Sequence, residues 1–134
     1  MDMTLICYDR TRRILEFAGA FNPLWLIRNG ELIETPGNRF PIGQDQDREK
    51  VFTNNEIEIQ SGDTIYMFSD GYADQFGGVE GKKLKVGKFK ELIMSIQKFS
   101  MEEQKIKLNE FIEAWKGSIS QIDDILVIGR KFEF

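Results

Sequence analysis

Apolar and polar residues alternate in short runs over the first two-thirds of the chain, the signature of strands joined by tight turns. Thr4-Leu5-Ile6-Cys7-Tyr8 is an apolar run closed by Asp9-Arg10-Thr11-Arg12, a polar connection of hairpin length, and Ile14-Leu15-Glu16-Phe17-Ala18 follows and stops at Gly19. Leu24-Trp25-Leu26-Ile27-Arg28 and Glu31-Leu32-Ile33-Glu34 flank Asn29-Gly30, the strongest short hairpin signal, because both residues accept the positive φ of a type I′ turn. The unbroken run Leu24 to Ile27 predicts a strand covered on both faces. Pro36 to Lys50 reads as a loop. Glu56-Ile57-Glu58-Ile59-Gln60 alternates and predicts a half-exposed strand, and Thr64-Ile65-Tyr66-Met67-Phe68-Ser69 predicts a buried one.

The period then changes. Val86, Phe89, Leu92, Ile93, Ile96 and Phe99 recur at helical spacing as one apolar stripe. Ser100 and Glu103 form a capping box that opens a second helix, whose stripe is Leu108, Phe111, Ile112 and Trp115 and whose stop is Gly117. Ile125-Leu126-Val127-Ile128-Gly129 predicts a last buried strand. Several strands, two adjacent helices and a returning strand give an α+β sandwich of helices against a mainly antiparallel sheet, read as a single domain over residues 1–134.

Composition narrows the chemistry. The 134 residues include 41% hydrophobic and 30% charged side chains, a core-forming balance. Lys+Arg 18 against Asp+Glu 22 gives a net charge of −4, which argues against a nucleic-acid footprint. With His 0, Ser-His-Asp hydrolysis, Cys-His proteolysis and His-based zinc sites are excluded for this chain. Cys7 alone cannot form an internal disulfide and, inside an apolar run, reads as a buried structural thiol. No apolar run approaches the length of a membrane span, so a cytoplasmic domain without membrane contact is expected.

Two segments interrupt the core pattern with acids: Phe68-Ser69-Asp70-Gly71-Tyr72-Ala73-Asp74-Gln75, where a buried strand ends, and Gln121-Ile122-Asp123-Asp124-Ile125-Leu126-Val127, where another begins. Taken singly, Asp-Gly is a common turn and Asp-Asp a common solvated loop. Taken together, they place Asp70 and Asp123 at the mouths of the most apolar strands of their regions. If those strands are neighbours, the carboxylates converge, and like charges need something positive between them. Oxygen donors without His or Cys suit Mg²⁺ or Mn²⁺. A binuclear site would acidify a water and hold it for in-line attack on a phosphoryl group.

At these residues the sequence resembles the C-terminal portion of the SpoIIE/RsbU-like branch of the metal-dependent (PPM, type 2C) serine/threonine phosphatases. Met1-Asp2-Met3-Thr4-Leu5 is similar to the end of that family's "GMD-aL" element, Phe17 to Leu24 to its "aGA-nPl" segment, and Phe40-Pro41-Ile42-Gly43 to its "piG" turn. Gly62 to Gly71 is similar to its "GD-l-l-TDG" strand, and Gln121 to Ile125 to its closing "DD-T" motif. The resemblance implies two stacked, mainly antiparallel β-sheets flanked by helices. It implies that Asp70 and Asp123 are metal ligands acting through metal-bound water, with Gly71 and Asp124 supporting the site and Asp74 given no ligand role. It implies Mn²⁺ or Mg²⁺, binuclear in the complete domain, and a phosphorylated regulatory protein of the anti-sigma-factor antagonist type as substrate.

One departure qualifies the match. The family's Asp-x-x-Gly-His-Gly turn, which carries a further metal-bridging acid, does not occur in this chain. The expectation is therefore an incomplete catalytic domain, with uncovered sheet edges that favour a homodimer or domain exchange. The alternative is a non-catalytic, phosphatase-like protein-binding scaffold. Lys82, Lys83, Lys85, Lys88 and Lys90 read as a solvated helix start, with a rim for an acidic substrate as the alternative. Trp25 and Trp115 read as core, and Arg10, Arg12 and Arg13 as exposed residues of a hairpin turn, with phosphate capture as the alternative.

Overall fold

The computed structural model describes residues 1–43 and 50–134. Among the described residues, nine strands and three helices follow one another: β1 (Met3–Asp9), β2 (Ile14–Ala20), β3 (Leu24–Arg28), β4 (Glu31–Thr35), β5 (Asn55–Glu58), β6 (Thr64–Phe68), α1 (Gly71–Asp74), β7 (Phe76–Gly77), β8 (Lys82–Lys83), α2 (Val86–Ser95), α3 (Met101–Lys116) and β9 (Val127–Lys131). One sheet has the order β1-β2-β5 and a second the order β4-β3-β6-β9, while β7 and β8 form a small hairpin. The pairings β1–β2, β2–β5, β3–β4 and β3–β6 are antiparallel. This is the mixed fold of antiparallel sheets and helices that the sequence predicts.

Two compact units make up the chain: Met1–Met67 with Gly129–Phe134, and Phe68–Ile128. In the first, alternation along β2 sends Leu15 and Phe17 inward to meet Leu24 and Leu26 of β3, Ile65 of β6, and Ile59 and Phe132. The two sheets therefore share one core, and Leu24–Ile27 is buried at every position, as its unbroken apolar run requires. The Asn29-Gly30 turn has φ 50° and 76° at its two central residues, the type I′ geometry that matches strand twist. Arg28 and Asp63 bind β3 to the start of β6 through a two-pronged ion pair, Nε–Oδ1 at 2.9 Å and Nη2–Oδ2 at 2.7 Å, and the Gln60 N–H donates to Asp63 Oδ2 at 2.8 Å. Burial pushes the Asp63 carboxyl up. The guanidinium and the amide outweigh that and hold it below the ordinary carboxylate range.

In the second unit, Phe89 of α2 stacks on Tyr72 of α1 with ring centroids 4.5 Å apart and meets Phe68 edge-on at 5.1 Å. The Tyr72 hydroxyl donates to the Leu108 carbonyl at 2.7 Å, fastening α1 to α3. Burial pushes the Tyr72 phenol up, so it remains a donor at any ordinary pH. The capping box is present as predicted: Ser100 Oγ accepts the Glu103 N–H at 3.2 Å, and Glu103 Oε2 accepts the Ser100 N–H at 3.0 Å.

Several expectations are corrected. Cys7 is exposed, because Ile6 and Tyr8 of β1 pack against the core and the pleat turns Cys7 the other way. The final strand is neither at Ile125 nor buried. It runs from Val127 to Lys131 at the edge of its sheet, with Leu126 and Ile128 exposed, and Phe132 beyond it enters the core. Helix α2 ends at Ser95, so Ile96 and Phe99 continue the apolar stripe in a turn, and Val86 is exposed. Trp25 is core, whereas Trp115 is half-buried, its indole N–H donating to the Gln75 carbonyl at 2.9 Å. Arg10, Arg12 and Arg13 are exposed. Residues 44–49 of the Pro36–Lys50 loop lie outside the described residues.

Candidate active site

Asp70 stands two residues past β6 and begins α1, its main chain already helical (φ −66°, ψ −18°) and its carbonyl accepting the Asp74 N–H at 2.9 Å. The 124–126 stretch runs beside it, held by one serine. Ser69 Oγ donates to the Asp124 carbonyl at 2.7 Å and accepts the Leu126 N–H at 3.0 Å, while the Ser69 N–H donates to the Leu126 carbonyl at 3.0 Å. These bonds satisfy main-chain groups of 124–126 that precede the β9 ladder, which explains why the strand starts later than its apolar sequence suggests.

Gly71 allows the approach. A Cβ at that position would strike the Asp124 carbonyl oxygen and lie 2.8 Å from its carbon, so only glycine lets the two main chains touch. Asp123 is the next residue along. Its Oδ1 accepts the Asp124 N–H at 2.8 Å, and Gln121 Nε2 donates to the Asp123 carbonyl at 2.8 Å, which fixes the bend before Asp124. The segments bearing Asp70 and Asp123 thus lie side by side, and Asp70, Asp123 and Asp124 are all exposed.

Asp74 faces Lys83 of β8 at 3.6 Å, an ion pair between half-exposed side chains. Lys82 pairs with Glu80 at 2.9 Å, and Lys88 lies 4.9 Å from the Trp115 ring centroid. Among the described residues, no group of three or more Cys, Asp or Glu side chains could hold a metal ion. The donors present still suit one kind of ion. Mg²⁺ is commonly held by one or two carboxylates, with water and phosphate oxygens completing its shell. Two exposed carboxylates on touching segments, with no nitrogen or sulfur donor, match that chemistry and not that of zinc or copper. Ser69 is the site residue that sequence reasoning missed. Its only signal was a hydroxyl placed directly before Asp-Gly.

Two core-sharing antiparallel sheets, three helices and acids at the ends of β6 and before β9 define a PP2C-type phosphatase fold. The chain belongs to the SpoIIE (Stage II sporulation protein E) family, whose profile matches residues 1–133. It is similar to the SiaA-PP2C domain of Pseudomonas aeruginosa, with 30% identity and a TM-score of 0.87 over 98% of this chain and 51% of that one. It also has the fold of the SpoIIE phosphatase domain of Bacillus subtilis (15% identity, TM-score 0.67, 98% of this chain and 56% of that one). A structure of the RsbU and RsbW domains of a Mycobacterium tuberculosis protein contains this fold too (19% identity, TM-score 0.67, 96% of this chain and 35% of that one). No curated protein matches the sequence. The chain spans about half the length of the SiaA domain that it matches.

Proposed function

We propose that this chain is the C-terminal portion of a metal-dependent phosphoprotein phosphatase domain that removes phosphate from phosphoserine or phosphothreonine of a regulatory protein. The observation that carries the reading is the contact of the Asp70-Gly71 and Asp123-Asp124 segments through Ser69 and the bare Cα of Gly71. Asp70 and Asp123 would hold Mn²⁺ or Mg²⁺. When bound, such an ion supplies positive charge that acidifies water and offsets the charge of phosphoryl oxygens. The chain's own contribution is to place two anionic carboxylates at a solvent-facing spot and to keep their main chains in register. No side chain attacks phosphorus, so no phosphorylated form of the protein accumulates.

A further acid and the second metal position would come from sequence outside this chain. The 51% coverage of the SiaA domain and the lack of any histidine support that division. The resemblance of its motifs to the SpoIIE/RsbU-like branch implies an anti-sigma-factor antagonist as the substrate class. No helix among the described residues is long and apolar enough to cross a membrane; a cytoplasmic site of action is part of the proposal. The second reading, a protein-binding scaffold without catalysis, is favoured by the lack of a three-acid cluster among the described residues.

One assay separates them. The chain extended to the full length of the SiaA domain, of which it covers 51%, is expected to hydrolyse a phosphoserine peptide with Mn²⁺. Asp70→Asn or Asp123→Asn should each lower the rate about a hundredfold or more. Activity unchanged in both variants would contradict the assignment, and no activity in the extended chain would support the scaffold.

A further inference from the structure

Arg10 and Arg13 at the β1–β2 turn and Arg130 of β9 line one polar basin of about 270 Å³ in the first unit. Two of these guanidiniums lie over aromatic rings. Arg13 lies 3.9 Å from the Phe134 ring centroid, and Arg130 lies 4.9 Å from that of Phe132 and 5.6 Å from that of Tyr8. Stacking of this kind leaves the N–H edges of the fork free to point at a ligand. Lys131, also on the rim, is neutralised by Glu133 at 3.3 Å. Arg10, Arg13 and Arg130 form no ion pair with a carboxylate among the described residues, whereas Arg12, on the same turn, reaches Asp9 at 4.0 Å. Three guanidiniums around one basin make the local potential favourable to an anion even on a chain of net charge −4.

A second, independent observation concerns the backbone. Arg13 has φ 56°, the left-handed region, at a turn position where glycine or asparagine would sit without strain. An ordinary L-residue there costs about 1–2 kcal/mol. Strain of this kind is kept where a side chain has work to do. The Arg13 carbonyl also accepts the Ile59 N–H at 2.9 Å, so the strained residue is fixed to the chain just after β5.

We infer that this basin binds a phosphate-bearing small anion. Guanidinium forks match phosphate oxygens in pairs. A volume of about 270 Å³ falls below the range of pockets that enclose drug-sized ligands, so it suits a phosphate or diphosphate group rather than a whole large molecule. The anion could be free phosphate or diphosphate, or the phosphate tail of a nucleotide, and the chemistry recognised is the same. The basin uses none of the residues of the Asp70 and Asp123 site and requires no metal.

The test is titration of the whole chain with inorganic phosphate, pyrophosphate and ATP, in a low-salt, phosphate-free buffer containing EDTA, read by calorimetry and by melting temperature. Pyrophosphate is expected to bind and to raise the melting temperature, while chloride at matched ionic strength does neither. Arg13→Gly, which removes the guanidinium and relieves the backbone, should fold and lose at least tenfold in affinity. Arg130→Gln should lose a similar factor, and Arg12→Gln should bind as the unaltered chain does. ATP binding as tightly as pyrophosphate would identify a nucleotide tail, and pyrophosphate or phosphate binding without ATP would identify the free anion. No binding of any of the three anions, or equal binding by the unaltered, Arg13→Gly and Arg130→Gln chains, would overturn the inference. Because EDTA is present throughout, that failure would leave the metal-site reading untouched.

Discussion

A methyl group on residue 71 has no space: the Asp124 carbonyl occupies it, and Ile125 Cγ1 closes the other side at 3.2 Å. Gly71→Ala must therefore part the two acid-bearing segments or strain them, at an expected cost of about 3 kcal/mol. Urea denaturation would measure it, and a cost below about 1 kcal/mol would show that the segments are not in contact. Asp63 makes a different prediction. Its carboxyl is held below the ordinary range, so the stability it confers is complete above about pH 4 and is lost as pH falls through the depressed value in the folded state. Asp63→Asn should cost about 3 kcal/mol at neutral pH by leaving the Arg28 fork half-satisfied, and should flatten the acid limb of the stability curve. An acid limb unchanged in the variant would assign that limb to other carboxylates. The meeting of the Asp70-Gly71 and Asp123-Asp124 segments was legible because acids and a glycine broke apolar strands at informative places. Ser69 was not, because its value lies in serving two main-chain groups more than 50 residues away. Cys7 was misread because an apolar run does not say which of its alternate members face inward.

Local signals carried most of the elements. Asn29-Gly30 dictated a hairpin, and Ser100 with Glu103 dictated the start of α3, since each acts through atoms only a few residues apart. Ser100→Ala should destabilise α3 by about 1 kcal/mol and speed hydrogen exchange at the Glu102, Glu103 and Gln104 amides. Unchanged exchange there would mean that packing, and not the cap, holds that end. Element boundaries set by distant partners were beyond the sequence. β9 begins after Leu126 because Ser69 has already taken that residue's main-chain groups. Helix α2 stops at Ser95 although its apolar spacing continues through Phe99, for periodicity marks a buried face and not the geometry of the chain that carries it.

For the whole molecule, the edges of the sheets matter. Strands β1 and β5 border one sheet and β4 and β9 the other, with Leu5 and Ile33 exposed on β1 and β4. Unpaired edges bearing apolar side chains favour pairing with a second chain. A concentration-dependent dimer in sedimentation is the expected result, and a monomer at every concentration would contradict it. Two acids from distant parts of the sequence are expected to act on one ion. Mn²⁺ added to the ¹⁵N-labelled chain tests this most directly, since a bound paramagnetic ion broadens the amide signals around it. Residues 69–71 and 123–126 are expected to broaden together at the lowest Mn²⁺ concentration, and Asp70→Asn and Asp123→Asn are each expected to abolish the effect at both segments. Broadening confined to one segment, or first elsewhere on the chain, would contradict it.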